Sequence, residues 1–335
     1  MTTGRPATGY RLALLGVGAA LVVAVCPFLG HTRLNWSEVF GPGPSRAGEV
    51  FWTLRVPRAL LGACAGAGLA VGGVVFQALF RNPLATPYTL GIASGASLAA
   101  ATGFLLDLSG RWLGVPVLAL LAFGGALGAM AVVCAMARLR AGRDMTRLLL
   151  AGVCVAYLCS AGLLLVLFLA GRAVTNDIVM WMIGSLATLR RGAALELLVV
   201  LVPALLLILY WHRALDLLAM SDELAASRGV AVGRVVWTCF LLVGLVTAVI
   251  VANCGPIGFV GLMVPHSARA LLGLRALPLV LGSALLGAAF LALCDGIARS
   301  ISIYELPVGV ITNMLGAVFF FYMLATRDVS YPAAR

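Results

Sequence analysis

The chain contains no lysine and few acids: 23 basic residues, all arginine, stand against 12 acidic ones, and only 10% of its 335 residues are charged. Without lysine there is no GxxxxGK[ST] phosphate loop, so this chain is not itself an ATPase of that type. Its eight cysteines (26, 64, 134, 154, 159, 239, 254 and 294) form no CxxC pair and no cluster with histidine. They read as small apolar packing residues, not as a metal or disulfide framework. There are only three histidines, at 31, 212 and 266, and no HExxH-like set or paired nucleophile and base inside an apolar stretch, which excludes an intramembrane enzyme. No basic run is interleaved with aromatics, so the net charge of +11 does not indicate nucleic acid.

What the chain does have is apolar length: 62% of its residues are hydrophobic and its mean hydropathy is +1.09. A soluble domain carries about 25% charged residues. A chain this apolar cannot cover its surface with polar groups, and its solvent is lipid. Apolar segments recur near 11–29, 56–80, 89–106, 114–137, 146–170, 193–211, 233–253, 258–272, 276–294 and 307–325. Alternating ten-residue strands are absent, so the expectation is an all-α integral membrane protein with about ten spans in one compact bundle. The first span is longer than a signal-peptide core and lacks a small-residue cleavage site, so it is read as retained. Fourteen of the 23 arginines fall on one side if both termini are inside, the densest being in "ARLRAGRDMTR". That bias predicts an N-in, C-in topology.

Glycine is abundant, at 39 residues, and concentrates within spans, as in "GACAGAGLAVGG". Such spacing lets helices approach closely in lipid. Two polar breaks stand out. "RNPLATPYTLG" at 81–91 carries two prolines that stop a helix and fix a turn. In "RALDLLAMSDELAASRGVAVG" at 213–233, Ser221 is placed to cap a short helix with Asp222 and Glu223 in its first turn and Gly229 after its end.

Four ordered stretches then resemble a known family: "LRVPRALLGACAGAGLAVGGVVFQALFRNPLATPYTLGIASGAS" at 54–97, "TRLLLAGV" at 146–153, "GPIGFVGLMVPHSAR" at 255–269 and "ELPVGVITNMLGAVFFFYML" at 305–324. With the loop "LDLLAMSDELAASRGV" they span nearly the whole chain, which resembles the permease subunit of the FecCD-type ABC importers for iron–siderophore, haem and cobalamin. The resemblance implies a type II ABC importer permease fold, with residues 1–335 as one transmembrane domain and a cytoplasmic coupling loop at 213–232. The pore is expected between two copies, in a bacterial cytoplasmic (inner) membrane, with two ATPase subunits and a periplasmic or extracellular substrate-binding protein as partners beside lipid. ATP and magnesium belong to the ATPase, and no cofactor or metal is expected on this chain.

By position, the resemblance implies that Arg55, Arg58 and Arg299 pair with glutamates of the binding protein, a task suited to the bidentate guanidinium. Asn82 and Leu84, with Met145 and Thr146, match positions that close the cytoplasmic end of the pathway, although relatives often carry a small polar residue in place of Met145. Leu218, Ser221, Asp222, Glu223, Leu224, Ala225, Arg228 and Gly229 match the coupling helices seated in an ATPase cleft. Gly258 and Gly261 match a flexible outer turn entering a short helix, which Pro265, His266 and Arg269 end at the cytoplasmic face. Ferric siderophore is the first expectation for cargo as the broadest class, with cobalamin or haem as alternatives. Haem is less favoured for want of a ligating His or Tyr pair. A different class, an ion-coupled secondary transporter, needs ionisable groups at mid-membrane. Here the acids lie at span ends or in loops, with Glu196 and Asp295 nearest the interior.

Overall fold

The computed structural model describes residues 5–31, 36–41, 45–108, 110–112, 114–138, 145–187, 192–301 and 305–326. The chain opens with α1 (Arg5–Val25), a 3-10 turn (Cys26–Phe28), α2 (Trp36–Phe40) and α3 (Arg46–Val50), which runs through a π-helical turn (Phe51–Arg55) into α4 (Val56–Phe80). A second 3-10 turn (Pro87–Leu90) leads to α5 (Ile92–Leu105), α6 (Val117–Arg138), α7 (Met145–Leu169), α8 (Arg172–Met182) and α9 (Ala193–Tyr210). The short pair α10 (His212–Leu218) and α11 (Asp222–Ser227) precedes α12 (Val232–Cys254), α13 (Val260–Leu272), α14 (Ala276–Ile301) and α15 (Val308–Thr326). The remaining regular structure is a two-residue hairpin, Arg111–Trp112 against Val115–Pro116.

Every expected span is helical, but among the described residues only eight helices are long and apolar enough to cross a membrane. The other two expected spans are shorter, at 14 residues in α5 and 13 in α13. Sequence periodicity also misses α8, an amphipathic helix linking α7 to α9 that buries Ile178. The arginines Arg140, Arg143, Arg327 and Arg335, counted toward topology, lie outside the described residues.

α4 occupies the centre, and its glycines explain how. A Cβ on Gly66 would stand 2.0 Å from the Gly287 carbonyl oxygen of α14, and one on Gly73 would stand 1.9 Å from that of Gly261 in α13. Backbone therefore lies directly on backbone at two crossings. In lipid no hydrophobic drive brings helices together, so this close van der Waals contact is what holds them. α4 and α14 form the most extensive helix pair in the bundle.

The short helices have a cause. Residues 81–91 do not stay at the end of α4 but fold back along it, so that Pro87 packs on Gly72, which lies about 12 Å inside the end of α4 at 1.5 Å per residue. α5 thus begins within the bundle. Non-helical backbone is tolerated there because its polar groups are met by protein: Thr86 and Thr89 form a reciprocal capping box.

Overpacking at the α4–α14 crossing offers a direct check. Gly66→Ala should destabilise the purified chain by about 1–3 kcal/mol, because the obstructing atom is backbone. Gly18→Ala, where nothing lies within 4 Å, should leave the melting temperature unchanged or slightly raised. Thermal unfolding followed by size-exclusion chromatography measures both.

Candidate functional site

At the end of the bundle where α4 begins and α14 finishes, five charged side chains meet. Asp295 is 0% exposed and accepts Arg58 Nε on its two oxygens at 2.9 and 3.1 Å. Arg299, one turn further along α14, brings its Nε to 3.0 Å from Asp295 Oδ2. Arg58 Nη1 also pairs with the half-exposed Glu305. Arg299 Nη2 donates to the Cys26 carbonyl at 3.1 Å, and Arg55 Nη1 to that of Pro27 at 3.3 Å. Arg299 in the last turn of α14 suits the negative end of that helix, whereas Arg55 and Arg58 crowd the positive end of α4. A buried carboxylate between them resolves the conflict.

These arginines, expected to pair with glutamates of a binding protein, are also paired within the chain. Arg55 and Arg299 are 8% and 4% exposed, and their guanidiniums are engaged within the chain. The reason is desolvation: a guanidinium packed this deeply needs a counter-charge or carbonyl at hand. Asp295 and Glu305, which sequence reasoning does not pick out for this site, supply it. A DxxxR spacing on one helix face, "DGIAR", is the signal that marks the pair.

Deeper in the bundle a second irregular segment, 255–259, meets the first. Gly255 has φ +68°, and a Cβ there would lie 2.5 Å from the Trp181 carbonyl oxygen. Tyr88, from the re-entrant stretch, accepts the Ile257 N–H on its hydroxyl at 3.1 Å. Gly258 lies against Asn313, and the ring of Phe259, itself at φ +65°, rests on Gly316. The turn expected to be flexible is close-packed, because every glycine in it faces another chain segment.

Pro265 and His266 do not end α13, which continues to Leu272. Proline inside a helix frees the carbonyl four residues back, here that of Gly261. Gln77 Nε2, from α4, donates to that oxygen at 3.2 Å, and Arg269 donates to Gln77 Oε1. Gln77 is 0% exposed, so this amide replaces the lost helical bond and lets the helix run on. The His266 ring packs edge-on to Phe319 at 5.8 Å.

At the other end of α4, the loop of α10 and α11 has the anticipated local chemistry. Ser221 Oγ accepts the Leu224 N–H at 3.0 Å, and Gly229, at φ +80°, lets Val230 N–H reach back to the Ala225 carbonyl at 3.0 Å. Backbone and Ser221 hydrogen bonds hold the Glu223 carboxyl below the usual carboxylate range. The loop is tied twice to the bundle: Asp222 to Arg81 at 3.3 Å, and Asp216 Oδ1 to the Ala276 N–H at 2.6 Å, where it caps α14. Leu218 and Ala225, expected as contacts for an ATPase, are 1% and 0% exposed and pack inward. The reason is the amphipathic turn, which buries their side and leaves Met220, Glu223, Ser227, Arg228 and Gly229 exposed and Leu224 half-buried. Of the expected gate residues, Asn82 accepts the Leu84 N–H at 2.9 Å, and Leu84 and Thr146 are exposed. Met145 opens α7, and its side chain lies outside the described residues.

The outer cluster gives an asymmetric prediction. Asp295→Asn leaves the buried Arg299 with no counter-charge and Arg58 with Glu305 alone, and should destabilise the chain by about 3–5 kcal/mol. Glu305→Gln removes the half-exposed partner and should cost about 1 kcal/mol or less. Melting temperatures of the two variants in detergent, compared at low and high salt, test the difference.

Residues 17–326 match the model of the FecCD transport family. The chain is 36% identical over 330 residues to a probable iron chelatin transport system permease protein of Helicobacter pylori, covering 96% of this chain and 99% of that one. It is 39% identical over 280 residues to the Fe(3+) dicitrate transport system permease protein FecD of Escherichia coli, covering 82% and 85%. It is 37% identical over 286 residues to the cobalamin import system permease protein BtuC of Halobacterium salinarum, covering 85% and 76%. Among solved structures, an ABC transporter described as metal-chelate type, in an inward-facing conformation, superposes with a TM-score of 0.81 at 29% identity, covering 94% of this chain and 99% of that one. With its central helix packed on glycine, its re-entrant turn and its capped loop between α9 and α12, the chain belongs to the FecCD transport family.

Proposed function

We propose that two copies of this chain form the membrane pathway of an ATP-driven importer carrying a metal chelate inward across the bacterial cytoplasmic membrane. A ferric siderophore is the first-choice cargo. A substrate-binding protein delivers it, and two separate ATPase subunits supply the energy. The observation that carries this reading is the capped helix α11, with exposed Glu223, Ser227 and Arg228 on one side and Ala225 buried on the other. A partner's movement can shift an equilibrium only through contacts that differ between states. A capped helix braced at Asp216 and Asp222 transmits such a shift, whereas a slack linker absorbs it.

An ion-coupled carrier is disfavoured by the same geometry. Asp295 is closed off by two arginines, and Glu196 lies in the first turn of α9, so neither acid is offered to a coupling ion at mid-membrane. For docking, the outer cluster holds three guanidiniums against two carboxylates. Glu305 is its exposed member. A glutamate of the binding protein would therefore compete with Glu305 for Arg58, while Arg55 and Arg299 keep the site positive from below.

Proteoliposomes containing the chain, its ATPase and its binding protein should take up ferric siderophore when ATP is present, and uptake should survive a protonophore. Uptake abolished by the protonophore would overturn the ATP-driven reading, and faster uptake of cobalamin or haem would reassign the cargo. Ala225→Pro removes the N–H bonded to the Ser221 carbonyl at 3.2 Å and should break α11 at roughly 3 kcal/mol or more. The variant should reach the membrane at normal level yet lose uptake and substrate-stimulated ATP hydrolysis. Wild-type uptake would reduce the loop to a connector.

A further inference from the structure

Beside the loop of α10 and α11, a cavity of about 1080 Å³ opens between α1, α10 and the corner joining α13 to α14. Its polar lining is made by Thr8, His212, Arg213, Asp216 and Arg275. Among the described residues neither Arg213 nor Arg275 has a side-chain partner. Asp216, the one acid of the lining, has an oxygen on the Ala276 N–H at 2.6 Å, and His212 Nδ1 faces the Leu209 carbonyl at 2.8 Å. Arg11, next to the wall residue Leu12, donates to the Leu271 carbonyl at 2.9 Å and adds a third positive charge nearby. The inner wall is apolar, with Leu12 on α1 and Leu281 on α14.

Position decides what such a site would hold. With the coupling loop on the cytoplasmic side, as proposed above, it sits at that end of the bundle, beside the N-terminal helix. The outward residues of α1, Leu14, Val17 and Leu21, are more than half exposed and face the acyl-chain region. A soluble anion would meet the arginines but leave the leucine wall unfilled. A molecule with a phosphate at one end and a chain at the other fits both. Basic pockets between helices on the cytoplasmic side attract anionic headgroups at about 1 kcal/mol per arginine.

We propose that this cavity binds an anionic phospholipid of the inner leaflet, its phosphate between Arg213 and Arg275 and an acyl chain along Leu12 and Leu281. The occupant would also touch the start of α10, so lipid composition would bear on how firmly the coupling loop is held. This proposal is independent of the cargo.

The full-length chain in detergent is titrated separately with phosphatidylglycerol, with phosphatidylcholine of the same chains and with inorganic phosphate. Melting temperature and the lipids retained in native mass spectrometry are followed. Phosphatidylglycerol should raise the melting temperature and remain bound, while phosphatidylcholine and phosphate should do neither. Arg213→Gln with Arg275→Gln should weaken phosphatidylglycerol binding roughly 25-fold, about fivefold for each cation removed, and the corresponding double lysine variant should keep it. Leu12→Trp, which fills the cavity without touching the arginines, should also lose the retained lipid. Equal effects of the two lipids, or unchanged binding in the glutamine and tryptophan variants, would overturn the proposal. A full effect from inorganic phosphate alone would also overturn it, by showing a free-anion site.

Discussion

The rest of the molecule depends on the backbone-to-backbone contact of α4 with α14 and α13. At Gly66 and Gly73 there is no room for even one carbon atom. Helices packed this closely in lipid gain dispersion along their whole length, and the longer of the two contacts, that of α4 with α14, is the fixed axis. Once that axis is fixed, the outer charges of Arg58 and Asp295 and the inner ones of Arg81 and Asp222 are brought to opposite ends of one rigid unit. The clamps at those ends are a consequence of the crossing, because their partners sit on α4, on α14, or on the loop tied to both.

The two clamps differ in kind. The outer one is buried, with a carboxylate of no exposure held by two guanidiniums, so removing one partner strands charge in a poor solvent. The inner ion pair is about one-third exposed on each side and contributes little by itself. What fixes the loop there is the hydrogen bond from Ala276 N–H to Asp216, which satisfies an orphan donor at the start of α14. One end that resists rearrangement and another held by weaker, exchangeable contacts fit the proposal that movement enters at the loop of α10 and α11.

Much of this was legible in the sequence, for identifiable reasons. The spans follow from apolar length, and the cap at Ser221 and the stop at Gly229 follow from local chemistry that operates within five or six residues. Burial direction was harder. Leu218 and Ala225 read as surface contacts because helices of seven and six residues give too short a pattern to decide which face turns inward. The pairing of Arg58 was hidden because its partner is remote, Asp295 lying 237 residues away, whereas that of Arg299 lay four residues off on the same helix. Gln77 was legible in principle as the one amide in "GGVVFQALF", since a polar residue amid a buried span needs a partner. Its partner could not be read, because the need arises from a proline on another helix.

That pairing carries the last step. Pro265 weakens α13 at one point by freeing the Gly261 carbonyl, and the substitute donor comes from α4 and not from α13 itself. The continuity of α13 therefore depends on its position against α4. If α13 moved along or away from the central helix, the Gly261 oxygen would lose Gln77, and Arg269 would lose the oxygen of the same amide. One side chain thus registers both halves of the helix, above and below the proline. The two irregular segments are linked in the same manner, since Tyr88 meets the Ile257 N–H just before α13 begins. A movement of α13 against α4 would release Gln77, and would then either break the bond to Tyr88 as well or carry the re-entrant stretch with it. The second course is cheaper: it keeps the bond between Tyr88 and Ile257 and gives up only those of Gln77, and a buried donor or acceptor left bare costs about 1–3 kcal/mol. The re-entrant segment and α13 are accordingly expected to travel as one body against the fixed pair of α4 and α14, with the Gln77 amide as the point at which that body is held or released.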